Sequence, residues 1–319
     1  MGALPVVAEV VRNGFVESVH HGSVVALAPD GAVLWSVGDV ESPMFPRSSS
    51  KPLQVVGMLR AGLGDVLGSD AELLAVAAAS HDGSPYHVAL VERMLALGGL
   101  DASALRNTPT LPYSESAAHE VLRAGGGPSS LLQNCSGKHA AMLVTAAHNG
   151  WSLEDYRAPE HPVQQAILEA IADLTGERPQ HVAVDGCGAP LLSVSLVGLA
   201  RAFGALTTAA EGSPERQVAD AMRGFPQAVA GPERAATCVM RAVPGLLAKD
   251  GAEGVYGTAL ADGTAIALKI ADGAARAAVP VLLEALRRVG VPGEDLAEVP
   301  VAPILGAGHR VGEIRAVLR

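Results

Sequence analysis

A chain of 319 residues with 49% hydrophobic content can fill one large core or two modest ones, and with only 3% aromatics that core must be Ala, Val and Leu. The formal net charge of −10 argues against non-specific binding to nucleic acid or to an anionic membrane, so a small molecule is the expected partner. Three cysteines, an odd number, point to free thiols or metal ligands before a disulfide framework.

The opening MGALPVVAEVVR lacks a basic start and carries Glu9 and Arg12 in or beside its apolar run, so it reads as a strand rather than an export signal. No uninterrupted apolar run reaches the length of a membrane span, and a soluble cytoplasmic protein is expected. Val-rich segments over residues 5–37, broken at Asn13-Gly14, His21-Gly22 and Pro29-Asp30-Gly31, predict an antiparallel meander. A loop from Gly38 to Arg47 then delivers Ser48 to a helix whose apolar positions Leu53, Val56 and Leu59 recur at helical spacing.

Lys51 lies one helical turn after Ser48, on the same face. A serine hydroxyl becomes a nucleophile when a neighbouring base takes its proton, and an amine can be that base, so Ser-x-x-Lys is the minimal form of such a pair. The chain has four lysines, Lys51, Lys138, Lys249 and Lys269, with arginine supplying the other basic positions; lysine is not surface filler here.

A second helix through AELLAVAAA stops at Ser80-His81-Asp82-Gly83, where Ser84-Pro85 opens another. Taken alone, Ser80, His81 and Asp82 read as turn hydrogen-bonders. Residues 101–137 are rich in Pro, Gly and Ser, with a short helix over Ser116–Arg123, and form the region expected to cover a substrate. They close on Asn134-Cys135-Ser136-Gly137-Lys138-His139, a Gly-containing helix entry whose backbone N–H groups suit an anion. After a helix over Val163–Leu174 and a strand over 181–184 comes the turn Asp185-Gly186-Cys187-Gly188, then an apolar run PLLSVSLVGLARAFGAL that reads as one buried helix. Helices over Glu215–Met222 and Ala235–Val243, the turn Lys249–Gly254, strands over 255–260 and 265–270, a helix over 274–289 and short strands near 299–302 and 311–318 complete the chain. No repeat and no linker divides it, and residues 1–319 read as one domain. The expected class is α/β: an antiparallel sheet from both termini, flanked by helices, with an inserted helical subregion.

From residue chemistry alone, a metal would fall to Cys135, Cys187, His139 and Asp185, with two core cysteines as the alternative. Cys238 reads as a core residue, and His81 and His87 as structural or substrate-contacting.

Five blocks stand in order: RSSSKPLQ at 47–54, SHDGSPYH at 80–87, NCSGKHAAML at 134–143, DGCGAP at 185–190 and KDGAEG at 249–254. Together they resemble the Rhizobium-type L-asparaginases, the thermolabile asparaginase II family, and the resemblance runs over nearly the whole chain. It implies a serine β-lactamase/glutaminase-like sandwich, hydrolysis of L-asparagine to L-aspartate and ammonia, and a homodimer. It pairs Ser48 with Lys51 and Ser80 with Lys249 as catalytic groups, and makes Cys135, Lys138 and Cys187 the ligands of a zinc ion. Arg47 could fork onto the substrate carboxylate, Asp185 or Glu253 could accept from its ammonium, and His139 stands beside them as a substrate contact. Ser48 ranks ahead of Ser80 as nucleophile. Ser84 departs from the family form, which commonly has Glu there and so bears on substrate range. Alternatives are a glutaminase, a β-lactamase-like serine hydrolase without the S-D-N and K-T-G blocks, and a zinc-binding relative without turnover.

Overall fold

Asn13 and Gly14, both in the left-handed region, turn the chain tightly enough for β1 (Val6–Arg12) to pair at once with β2 (Phe15–Leu27). The computed structural model describes residues 4–319. Beyond β3 (Val33–Val37) come α1 (Lys51–Arg60), α2 (Leu63–Leu67), α3 (Ala71–Ala77), α4 (Pro85–Leu97), α5 (Glu115–Arg123), α6 (Ser136–His148) and α7 (Pro162–Thr175). The hairpin β4 (Val182–Val184) and β5 (Pro190–Leu192) leads to α8 (Leu196–Thr208), α9 (Pro214–Gly224), α10 (Pro226–Val229) and α11 (Ala235–Ala242). Last are β6 (Leu247–Gly251), β7 (Val255–Ala259), β8 (Ala265–Ile270), α12 (Ala275–Arg288), β9 (Ile304–Gly306) and β10 (His309–Ala316).

These elements fall into two compact units, each assembled from separate stretches of chain. One, comprising the chain up to Ser49, Ser193–Thr208 and Glu233 onward, holds an antiparallel sheet in the order β6-β7-β8-β2-β1-β10-β9, with β3 on β2. Strand β2 is shared along its length: residues up to His21 pair with β1, and residues from Gly22 onward pair with β8 and, from Val24, with β3. The expected turn at His21-Gly22 is therefore absent. Glycine serves there by close approach, because a Cβ on Gly22 would overlap the Lys269 carbonyl oxygen of β8. Helices α8 and α12 cover this sheet; along α12, Ala277, Val281 and Ala285 recur every four residues and are buried.

The other unit, Ser50–Leu192 with Ala209–Pro232, is the helical subregion. Its central helix α1 is buried from Lys51 to Met58 and packs against α7, α9, α6 and α3. The architecture is thus the expected α/β arrangement of an antiparallel sheet flanked by helices with a helical subregion. Three further local expectations change. The run from Pro190 forms a strand before it forms a helix, because Pro190–Leu192 pairs with Val182–Val184 across the Gly-containing turn. Lys249 lies inside a strand rather than in a turn, paired in register with Gly257. The closing strands fall at 304–306 and 309–316, where Ala307-Gly308 supplies the left-handed turn between them. Among the described residues no helix is long and apolar enough to cross a membrane.

Candidate functional site

Ser48 lies in the 3₁₀ turn Arg47–Ser50, and it is Lys51 that takes the first position of α1. Pro52 suits the first turn of a helix, where its missing N–H costs nothing. Lys51 is fully buried, and its Nζ donates to the Ala79 carbonyl at 2.5 Å and to Ser80 Oγ at 3.1 Å. Ala79 follows the last turn of α3, so the lysine satisfies a carbonyl that the helix leaves open and is thereby brought to Ser80. Lys51 and Ser80 are joined, a pairing that the sequence, which set Ser48 against Lys51 and Ser80 against Lys249, does not reveal.

Ser80 is held from several directions. Its N–H donates to Val229 O at 2.8 Å, and the next residue, His81, donates its own N–H to Asn134 O at 3.2 Å. Gly83 N–H donates to His81 Nδ1 at 3.2 Å, so His81 carries its proton on Nε2 and donates it to Ser136 Oγ, 2.8 Å away. The SHDG and NCSG blocks are thereby locked to each other. Burial, then the charges of His87 and Lys51, hold His81 well below the ordinary imidazole range. His87 stacks on His81 with ring centroids 5.1 Å apart, donates from Nε2 to Gln227 O at 2.9 Å and lies 2.7 Å from Asp82 Oδ1. Burial pushes the Asp82 carboxyl up, but the His87 hydrogen bond and the Ser84 amide outweigh it and bring it down to about 2.

Cys135, Lys138, His139 and Cys187 converge in the same unit, all buried. Lys138 Nζ donates to Cys187 Sγ at 3.4 Å, and Asp185 Oδ2 lies 3.8 Å from that sulfur. The hydrogen bond from Cys187, opposed by burial and helped by the charges of Lys51 and Lys138, holds the Cys135 thiol well below its ordinary range. Cys187 is pushed up by the same contact and by burial. Burial works against the Lys138 ammonium, but Cys187, Cys135 and Asp185 reverse it and raise the lysine. Burial brings His139 down to about 4; its Nδ1 shares a hydrogen bond with Tyr156 Oη at 2.8 Å, and its Nε2, turned toward Cys187, is buried without a partner.

This donor set fits zinc in kind: two thiols, an amine and an orphaned imidazole nitrogen. Among the described residues no three His, Cys, Asp or Glu side chains are disposed to hold a metal, and the motif resemblance would add the Lys138 amine to the two cysteines. That amine must then lose its proton as the metal enters.

Arg47, Ser48, Lys249 and Glu253 belong to the sheet unit. Arg47 takes a left-handed backbone with φ 52°, and Glu253 does so with φ 61° at the β6–β7 turn, where its carbonyl accepts from Lys269 Nζ at 2.6 Å. Lys249 is fully buried and donates to Asp250 Oδ1 at 2.6 Å; Asp250 Oδ2 accepts from Arg234 Nη2 at 2.7 Å. The sequence reading missed Ser136, Tyr156, Arg234 and Asp250. For Ser136 and Asp250 the signal was their position inside quoted motifs; for Tyr156 and Arg234, which lie in unremarkable stretches, there was none.

The profile of the L-asparaginase II family matches residues 8–316. No curated protein matches the chain. Solved structures similar to it include Mglu in its native form, 15% identical with TM-score 0.47, covering 85% of this chain and 65% of that one. A Bacillus glutaminase in 4.3 M NaCl is 14% identical with TM-score 0.43, covering 79% and 83%. A β-lactamase from Mycobacterium bovis is 15% identical with TM-score 0.44, covering 90% and 97%. The chain spans just under two thirds of the native Mglu chain. Since the profile runs from β1 to β10 without leaving out either unit, the chain belongs to the L-asparaginase II family.

Proposed function

We propose that the protein is an amidohydrolase that converts L-asparagine to L-aspartate and ammonia through a serine activated by lysine. The observation that carries this reading is the buried contact of Lys51 Nζ with Ser80 Oγ at 3.1 Å. Lys51 takes the Ser80 proton, Ser80 attacks the side-chain amide carbon, ammonia leaves, and water releases aspartate from the acyl-enzyme. Ser48 and Lys249 complete the catalytic set on the strength of the motif resemblance. The free amino acid presents a carboxylate to Arg47 and an ammonium to Asp185 or Glu253, with His139 as a further contact. Cys135, Cys187 and Lys138 would hold a zinc ion, whose fixed positive charge would anchor the NCSGK and DGCG blocks and polarise a nearby oxygen. The family match crosses both units, which supports one functional domain over residues 1–319. A homodimer and a cytoplasmic location belong to the same reading.

Ammonia release measured on asparagine and glutamine, beside ring opening of a chromogenic β-lactam followed by its colour change, separates the readings. Release from asparagine at the highest kcat/KM is expected; preference for glutamine makes the enzyme a glutaminase, and turnover of the β-lactam alone, or of none of the three, by folded, zinc-loaded protein overturns the proposal. Elemental analysis tests the metal independently. Cys135→Ala and Cys187→Ala are each expected to lose zinc, and retention in both rejects the site.

A further inference from the structure

We propose that Asp250, gripped by Arg234, fixes Lys249 as an ammonium ion and so makes Lys249 the proton donor to the leaving nitrogen in acylation rather than the base that activates the serine. The proposal rests on the hydrolysis reading above, in which Lys249 is catalytic. Both lysines of that reading are fully buried. Lys51 meets a carbonyl and a hydroxyl, at Ala79 and Ser80. Lys249 Nζ meets a carboxylate, Asp250 Oδ1 at 2.6 Å, as well as the Asp250 carbonyl at 2.7 Å.

A carboxylate at hydrogen-bond distance favours the charged amine, and a buried ammonium without one would be costly. Successive residues on a strand point to opposite faces, so Lys249 must fold back along β6 to reach Asp250. Among the described residues β6 is the outermost strand of the sheet. The second carboxylate oxygen is held by Arg234 Nη2 at 2.7 Å, at the start of α11, which packs on β6. Arg234 thereby keeps Asp250 ionised and oriented, which makes Asp250 a positioning residue for Lys249.

Other ionisable groups stand near the clamp. Tyr256 stands opposite Asp250 in β7, and burial holds it as a neutral phenol, well above its ordinary range. On α11 and its approach, Cys238 is pushed up by burial, with Glu233 and Arg241 nearby.

The protons then balance over one turnover. In acylation, Lys51 accepts the serine proton as the serine oxygen bonds to the amide carbon. As the C–N bond breaks, Lys249 gives a proton to the departing nitrogen, which leaves as ammonia, and becomes neutral. In deacylation, neutral Lys249 takes a proton from the attacking water, restoring its ammonium against Asp250. Lys51 returns its proton to the serine as the ester bond breaks. Water and amide are consumed, and acid and ammonia are formed.

The chain's four lysines make the test practical. The ε-methylene signal of Lys249, assigned by its loss in Lys249→Met, is followed against pH alongside the pH profile of ammonia release from asparagine. In the wild-type protein the signal is expected to stay constant up to about pH 10, near where a free lysine titrates. In Asp250→Asn, which keeps the shape and an acceptor but not the charge, the signal is expected to titrate within that range. The alkaline limb of kcat should move to lower pH with it, and Asp250→Glu should return both. A wild-type Lys249 signal that titrates below about pH 9, or one whose titration is the same in Asp250→Asn, overturns the proposal. The signal is read without turnover. A wild-type enzyme inert toward asparagine would therefore overturn the donor role along with the function proposed above, while the signal still judges the clamp by itself.

Discussion

Lys51→Met is expected to lower kcat for ammonia release by about 10³–10⁴-fold, the contribution of a positioned general base together with the serine it activates. Methionine approximates the lysine's length and fills its fully buried site, so the loss should be chemical rather than a collapse of α1. The substitution does remove the donor that satisfies the Ala79 carbonyl, which should lower stability by about 1–2 kcal/mol. Thermal unfolding followed beside the assay separates the two effects. Ser80→Ala, which deletes only the hydroxyl that Lys51 touches, is expected to match Lys51→Met in kcat while leaving the melting temperature within a few degrees of wild type. If Ser80→Ala keeps wild-type kcat and Ser48→Ala abolishes it, Ser48 is the nucleophile and the contact of Lys51 with Ser80 is not the catalytic one.

The second large effect is at Gly137. This residue lies in the first turn of α6, and a Cβ there would overlap the carbonyl oxygen of Val76 and sit 2.9 Å from its carbonyl carbon. Both atoms are backbone, so no rotamer change can relieve the clash. Either α3 or the start of α6 must move. α3 runs directly into Ala79 and Ser80, and α6 begins beside Cys135, so the displacement reaches both the serine and the thiols. Gly137→Ala is expected to cost about 3 kcal/mol or more, to lower the melting temperature by roughly 5 °C or more and to reduce zinc retention. Wild-type stability and zinc content in this variant would show that the two helices do not need their close approach.

Gly137 also shows how a residue can be visible in the sequence for one reason and matter for another. In the sequence it marks a helix entry suited to an anion; in the fold it lets two helices touch. The chemistry-bearing residue types were legible because they are scarce. Four lysines and three cysteines leave few places for an amine or a thiolate, and Lys51, Cys135, Lys138 and Cys187 stand in short Gly- and Ser-rich blocks at helix starts and turns. The antiparallel sheet, the helices and most of their ends were legible as well, from Val-rich runs, helical spacing and Gly or Pro at the boundaries.

Pairing was not. Which serine a lysine meets depends on the direction in which its four-carbon side chain leaves the helix, and that is set by the carbonyl at the end of α3, 28 residues away. The same limit applies at Lys249, whose carboxylate partner is its own neighbour and whose clamp, Arg234, comes from the approach to α11. It applies to Pro190–Leu192, an apolar run that periodicity alone assigns to a helix and that pairing with β4 turns into a strand. The sequence by itself determined which groups can do chemistry, because that is a property of residue type. Tertiary structure decided which of them share protons and charge, because those energies fall off within a few ångströms and only packing brings the atoms that close.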